Sequence, residues 1–149
     1  MKIDCHYHLS KGEGHLERNR KSLENARSVG IDKVCVSILG ATTHDEFRES
    51  NRVLSEYVEE YPDMVLGYSF VNPCYVREAV AELERCINDY GFIGLKLLHH
   101  CRCSEPMVFP LVEKTIELNV PILIHCGHCA PELKRGQETT LTDPEDVAF

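Results

Sequence analysis

The sequence predicts an α/β fold built on a parallel sheet, and three observations carry that reading. Short apolar runs recur at residues 2–6, 33–39, 64–70, 92–97 and 121–125. Their starts lie about 28 to 31 residues apart, the spacing of strand–helix units in a parallel sheet. The runs are apolar on both faces, as strands covered on both sides are. Between them lie stretches of helical periodicity.

The first run leads into Asp4-Cys5-His6-Tyr7-His8. Strand alternation puts His6 and His8 on one face, roughly 7 Å apart along the chain. Asp4 shares that face, and Ile3, Cys5 and Tyr7 point the other way. One metal ion can bridge two such imidazoles, because each Zn–N bond adds about 2 Å. The plain alternative is a pair of surface histidines at a strand end. A helix follows over 17–29, bounded by Gly30 as a C′ residue. Cys35 in the second run and Cys86 in a later helix read as small hydrophobes. The helix over 45–61 carries Val53, Leu54, Tyr57, Val58 and Tyr61 on one face and stops at Pro62.

The helix over 75–90 shows Val76, Val80, Leu83 and Ile87 at helical spacing and ends at Gly91. Lys96 then places a charge inside the fourth apolar run. It either points into the centre, to meet an anionic substrate or to bridge two metals as a carbamate, or snorkels to solvent. The helix over 107–119 starts around Pro110 and carries Leu111, Val112, Thr115, Ile116 and Leu118. The fifth run closes on His125, which needs a partner if buried. The tail reaches Thr142-Asp143-Pro144-Glu145, a capped start of a fifth helix.

The 149 residues allow one domain, and 43% apolar with 27% charged content is that of an ordinary globular chain. A net charge of −8 without a basic cluster argues against a nucleic-acid or acidic-lipid surface. Met1-Lys2 leads straight into the first strand with no signal-peptide pattern, and no apolar run approaches a membrane span. A cytoplasmic protein is expected. In that setting the eight cysteines read as reduced thiols.

The longest irregular stretches, 9–16, 98–106 and 126–143, all follow strands. In parallel α/β folds those ends build the active site. His6, His8, His15, His44, His99, His100, His125 and His128 all lie at a strand end, in the loop after one, or just beyond. His6, His8 and His125 together give a three-histidine set with open positions, the pattern of catalytic rather than structural zinc.

The ordered set of Ile3-Asp4-Cys5-His6-Tyr7-His8, Asn51, Tyr61-Pro62-Asp63, Leu66-Gly67-Tyr68, Val71-Asn72-Pro73, 91–97 and 120–127 spans nearly the whole chain. It resembles the N-terminal part of the amidohydrolase superfamily, in its amidohydrolase-2 (aminocarboxymuconate-semialdehyde decarboxylase-like) branch. The resemblance implies a TIM-barrel fold, of which this chain supplies five βα units of an incomplete (β/α)8 barrel. It also implies a mononuclear divalent metal, most often zinc, with manganese, iron and cobalt also accepted by such ligands. His6, His8 and His125 are the implied ligands. A metal-activated water or the metal itself then polarises a small substrate for C–C or C–N cleavage, as hydrolase or decarboxylase. Lys96 and His99, with His100 and Arg102 near, suit a carboxylate on that substrate.

A full barrel takes about 250 residues. The resemblance places the family's acid/base histidine and its strand-eight aspartate beyond Phe149, so no catalytic acid/base is assigned here. The expectation is a single partial domain over 1–149, truncated at its C-terminus, with little turnover alone. Its open strand edges invite a second copy or a complementing chain.

Two other readings compete. A TatD-like metal nuclease also opens with His-x-His, but the acidic charge and Val71-Asn72-Pro73 weigh against it. A non-catalytic metal-binding or interaction module would use Cys101, Cys103, Cys126 and Cys129. Cys126 and Cys129 have zinc-knuckle spacing, whereas Cys101-x-Cys103 is a poor match to it. Otherwise these are thiols in active-site loops.

Overall fold

Five strands and four α-helices alternate along the chain in a computed structural model that describes residues 1–126 and 142–147. They are β1 (Ile3–Leu9), α1 (His15–Ser28), β2 (Lys33–Ile38), α2 (His44–Glu60), β3 (Val65–Phe70), α3 (Val76–Tyr90), β4 (Gly94–Leu97), α4 (Phe109–Leu118) and β5 (Ile122–Ile124). The sheet order is β1-β2-β3-β4-β5 and every pairing is parallel. Each strand therefore pairs with the next in sequence. That is the wall of a barrel, whereas a doubly wound sheet reverses its order at a switch point.

Val34, Val36 and Ile38 of β2 pack with Leu23 and Ala26 of α1 and Leu54 and Tyr57 of α2. A second cluster joins Phe70, Leu95 and Leu97 to Phe47, Leu83, Val108 and Leu111. α2 starts on a capping box. Thr43 accepts from the Glu46 amide, and the Glu46 carboxylate accepts from the Thr42 and Thr43 amides. These hydrogen bonds hold the Glu46 carboxyl well below its usual 4.5, at about 2. Gly94 is needed for close approach. A Cβ there would meet the Tyr68 ring and stand 2.6 Å from the Pro121 carbonyl oxygen.

Buried polar groups tie the layers. Asn51 of α2 donates to the Phe70 carbonyl (3.1 Å) and accepts from the Phe70 amide (3.0 Å), which anchors the end of β3. It also donates to Glu82 of α3 at 3.0 Å. Glu82 is buried and takes Arg85 on both oxygens. Asn19 of α1 accepts from the Ser10 amide at 3.0 Å and donates to its carbonyl at 2.8 Å, fixing the loop after β1.

The structure corrects three local expectations. β1 carries an irregularity: Asp4 pairs with Val34 but Tyr7 with Val36, three residues of one strand spanning two of the other. Simple alternation fails there. Tyr7 packs on the outer core, while Cys5 faces Cys35, whose pKa it helps to raise, and does not share Tyr7's side. The segment expected as one helix over 107–119 opens with a 3-10 turn, Pro106–Val108, before α4. Pro110 in the first turn of α4 is tolerated because that amide has no helical partner anyway. The tail forms a short 3-10 turn, Pro144–Val147, in which the Asp143 amide donates to Asp146. Among the described residues, no helix is long and apolar enough to cross a membrane.

Candidate metal centre

The carboxyl ends of β1, β4 and β5 share one open cavity of about 510 Å³, lined by His6, His8, Leu39, Leu98, His99 and His125. His6 and His8 stand edge to face with ring centroids 4.9 Å apart. His8 Nδ1 lies 3.1 Å from Ser37 Oγ and 3.3 Å from the Ser37 carbonyl oxygen. A proton on Nδ1 serves that carbonyl and leaves the lone pair on Nε2, the arrangement that orients a ligand histidine. Ser37 is paired with His8 in the β1–β2 register, so strand pairing sets this contact. His125 follows β5 directly, and its amide donates to the Leu97 carbonyl at 3.1 Å. His99 follows β4, with its ring 6.5 Å from that of His125.

Burial lowers the pKa of His6, His8 and His125. The positive charge of Lys96 is the next cause for His6 and His125, and for His6 it is opposed by Asp4. For His8 the bond to Ser37 opposes the shift. All three imidazoles are thus biased toward the neutral form, the form that ligates metals.

Lys96 is fully buried in β4 and points inward, so the solvent-directed alternative is excluded. Its Nζ sits 3.1 Å from His6 Nε2. The three histidines fit a divalent cation by chemistry and by placement around one cavity. As they stand, however, no three His, Cys, Asp or Glu side chains among the described residues are gathered tightly enough to hold an ion.

His15, His44 and His100 do not line this cavity, although the sequence places them near strand ends. His15 Nδ1 meets the Tyr57 hydroxyl at 3.1 Å. His44 packs on Phe47. His100 Nε2 meets the Ala41 carbonyl at 3.0 Å, and its ring lies against Phe70. Arg102 pairs with Asp146. Of the four groups that suit a carboxylate, His99 lines the cavity, Lys96 is buried in contact with His6, and His100 and Arg102 have these other contacts.

The cysteine set is less well prepared for metal. Cys101 is buried, and burial, then the charges of Cys74, Glu105 and Cys103, push its thiol up to about 12. The Cys103 thiol donates to the Asp146 carbonyl at 3.3 Å. Cys126 is exposed and bridges to Thr142 through the backbone. His128 and Cys129 lie outside the described residues. The sequence reading missed Ser37, Leu39 and Leu98. A polar Ser37 within an otherwise apolar run was the available signal for the first.

The profile of the amidohydrolase-2 family, described as amidohydrolase, matches residues 3–148. A 2-keto-4-carboxy-3-hexenedioate hydratase from a Sphingobium species is 32% identical, over 56% of this chain and 28% of its own length. A 2,6-dihydroxybenzoate decarboxylase from Rhizobium superposes with a TM-score of 0.71 at 20% identity, over 90% of this chain and 52% of that one. A dihydroxybenzoic acid decarboxylase from Polaromonas, with bound manganese and the inhibitor 2-nitroresorcinol, also gives 0.71, at 19% identity, over 87% of this chain and 50% of that one. The chain thus spans about half the length of these solved structures, and its sheet is the N-terminal part of their barrel. With a profile match over nearly its whole length, the chain belongs to the amidohydrolase-2 family.

Proposed function

We propose that the chain forms the metal-binding half of a metal-dependent hydrolase or lyase acting on a small carboxylate- or amide-containing substrate. The observation that carries this reading is the gathering of His6, His8, His99 and His125 around one cavity at the carboxyl ends of parallel strands. His6, His8 and His125 hold the cation, and Ser37 fixes the tautomer of His8. When bound, a divalent cation supplies a Lewis acid and brings the pKa of a bound water to about 7. Zinc is the first candidate on the imidazole set. Manganese is the second, because the Polaromonas decarboxylase binds it.

Lys96 and His99 meet the anionic group of the substrate. The hydratase and decarboxylase relatives support a carboxylated substrate and a reaction that breaks or hydrates a carbon skeleton. At the edges of β1 and β5 we place a second copy or a complementing chain, since among the described residues no further strand pairs there and open strand edges seek partners. A cytoplasmic setting belongs to the same proposal.

Cobalt(II) titration tests the ligand set. Histidine ligation gives visible d–d bands without strong thiolate-to-cobalt charge transfer, and His6→Ala or His125→Ala abolishes them. Strong thiolate charge transfer would replace this reading with the module built on Cys101, Cys103, Cys126 and Cys129.

A further inference from the structure

Lys96 has 0% exposure, and its Nζ is 3.1 Å from His6 Nε2. Where the Lys96 amine donates in this contact, the His6 nitrogen accepts. A lone pair committed to Lys96 is not available to an ion at the same time. His6, His8 and His125 line one cavity, yet no three such side chains among the described residues close into an ion site. The Lys96 amine is thus bound to one member of the proposed ligand set.

On the metal reading proposed above, we infer that Lys96 is a built-in competitor of the metal. It holds His6 in the ion-free protein and has to be displaced before His6 ligates through Nε2. Two effects oppose ion entry while it stays. A charge-assisted hydrogen bond must break. A dication must also approach within a few ångströms of an ammonium, where a poorly solvated setting strengthens repulsion. Once displaced, the amine lies beside the cavity as a cation for the anionic group of the substrate. Metal loading thereby prepares substrate binding. Lys96 acts here through His6, as a positioning residue for the ligand set.

The test is Mn²⁺ affinity by isothermal titration calorimetry on the full chain, for wild type, Lys96→Met and Lys96→Gln. Methionine keeps a similar length and suits a fully buried site. Far-UV circular dichroism checks the fold. We expect Lys96→Met to bind Mn²⁺ at least about ten-fold tighter than wild type, a difference of about 1.4 kcal/mol. Lys96→Gln should fall between the two, because its amide still donates to His6. If the methionine variant does not fold, the glutamine variant decides alone: tighter binding supports the inference and unchanged binding overturns it. Wild-type binding with equal or weaker binding in the folded variants overturns the role of Lys96 and leaves the metal site standing. No Mn²⁺ bound by any of the proteins overturns the metal site, and the inference with it.

Discussion

Replacing Asn51 by alanine should unfasten β3 from α2. Asn51 is buried and makes hydrogen bonds of 3.1 and 3.0 Å to the backbone of Phe70 and of 3.0 Å to Glu82. Alanine leaves the Phe70 amide and carbonyl without these partners. Each buried polar group left unsatisfied costs about 1–3 kcal/mol. Glu82 loses less, because Arg85 still takes both its oxygens and the Cys86 thiol donates at 3.4 Å. The total is about 2–6 kcal/mol, a large share of the roughly 5–15 kcal/mol that holds an ordinary domain. At about 2–4 °C per kcal/mol for a chain of this size, the melting temperature should fall by roughly 4–24 °C. Urea unfolding followed by circular dichroism measures this as a lower midpoint at unchanged slope. A loss under about 1 kcal/mol would refute the reasoning: the Phe70 backbone would then have found other partners, and Asn51 would not anchor the strand end. Phe70 is paired with Lys96 across β3 and β4, so the same change bears on the registry of the candidate site.

Further outcomes follow from the same contacts. His6→Ala and His125→Ala should each lower Zn²⁺ affinity far more than Cys101→Ala, measured by competition with a chromophoric chelator. Equal losses in all three would count against the histidine set. Glu46→Gln should remove an acid-sensitive component of stability. The Glu46 carboxyl is lowered from 4.5 to about 2 in the folded chain, so its contribution is fully present above pH 4.5 and lost as pH falls through about 2. The gap in urea midpoint between wild type and variant should therefore close across that window, and a constant gap would show that the capping box is not its source. Gly94→Ala should destabilise by about 1–3 kcal/mol, the usual cost of overpacking, because the Pro121 backbone cannot yield as a flexible side chain would. An unchanged midpoint would show that the β4–β5 contact relaxes freely.

The alternation of strands and helices was legible because apolar runs were cleanly punctuated. Gly91 closes α3 at a φ of +67°, and Pro62 follows the end of α2, as residues of those types should. His6, His8, His99 and His125 were legible because strand ends face one side of a parallel sheet. Side-chain direction beyond the strand ends was not. His15, His44 and His100 are near strand ends in the chain, yet they turn to Tyr57, Phe47 and Ala41. The irregularity in β1 was hidden because it depends on pairing with β2, and no pattern within β1 encodes it. Lys96 was visible as a misplaced charge, but its contact with His6 spans 90 positions and emerges only when the sheet curls. The same holds for Asn51 with Phe70 and for Ser37 with His8: each is a polar residue whose purpose is set by a distant partner.

Metal content per chain, for the purified 149-residue protein beside its His6→Ala/His8→Ala double variant, tests the central claim most directly. The histidine reading predicts about one divalent metal per chain in the parent, as for a mononuclear site. It also predicts that the double variant loses that metal while keeping its fold. Metal retained in the double variant would contradict the reading and place the ion at the cysteine cluster. A parent chain that takes up no metal when supplied with zinc or manganese would contradict it as well.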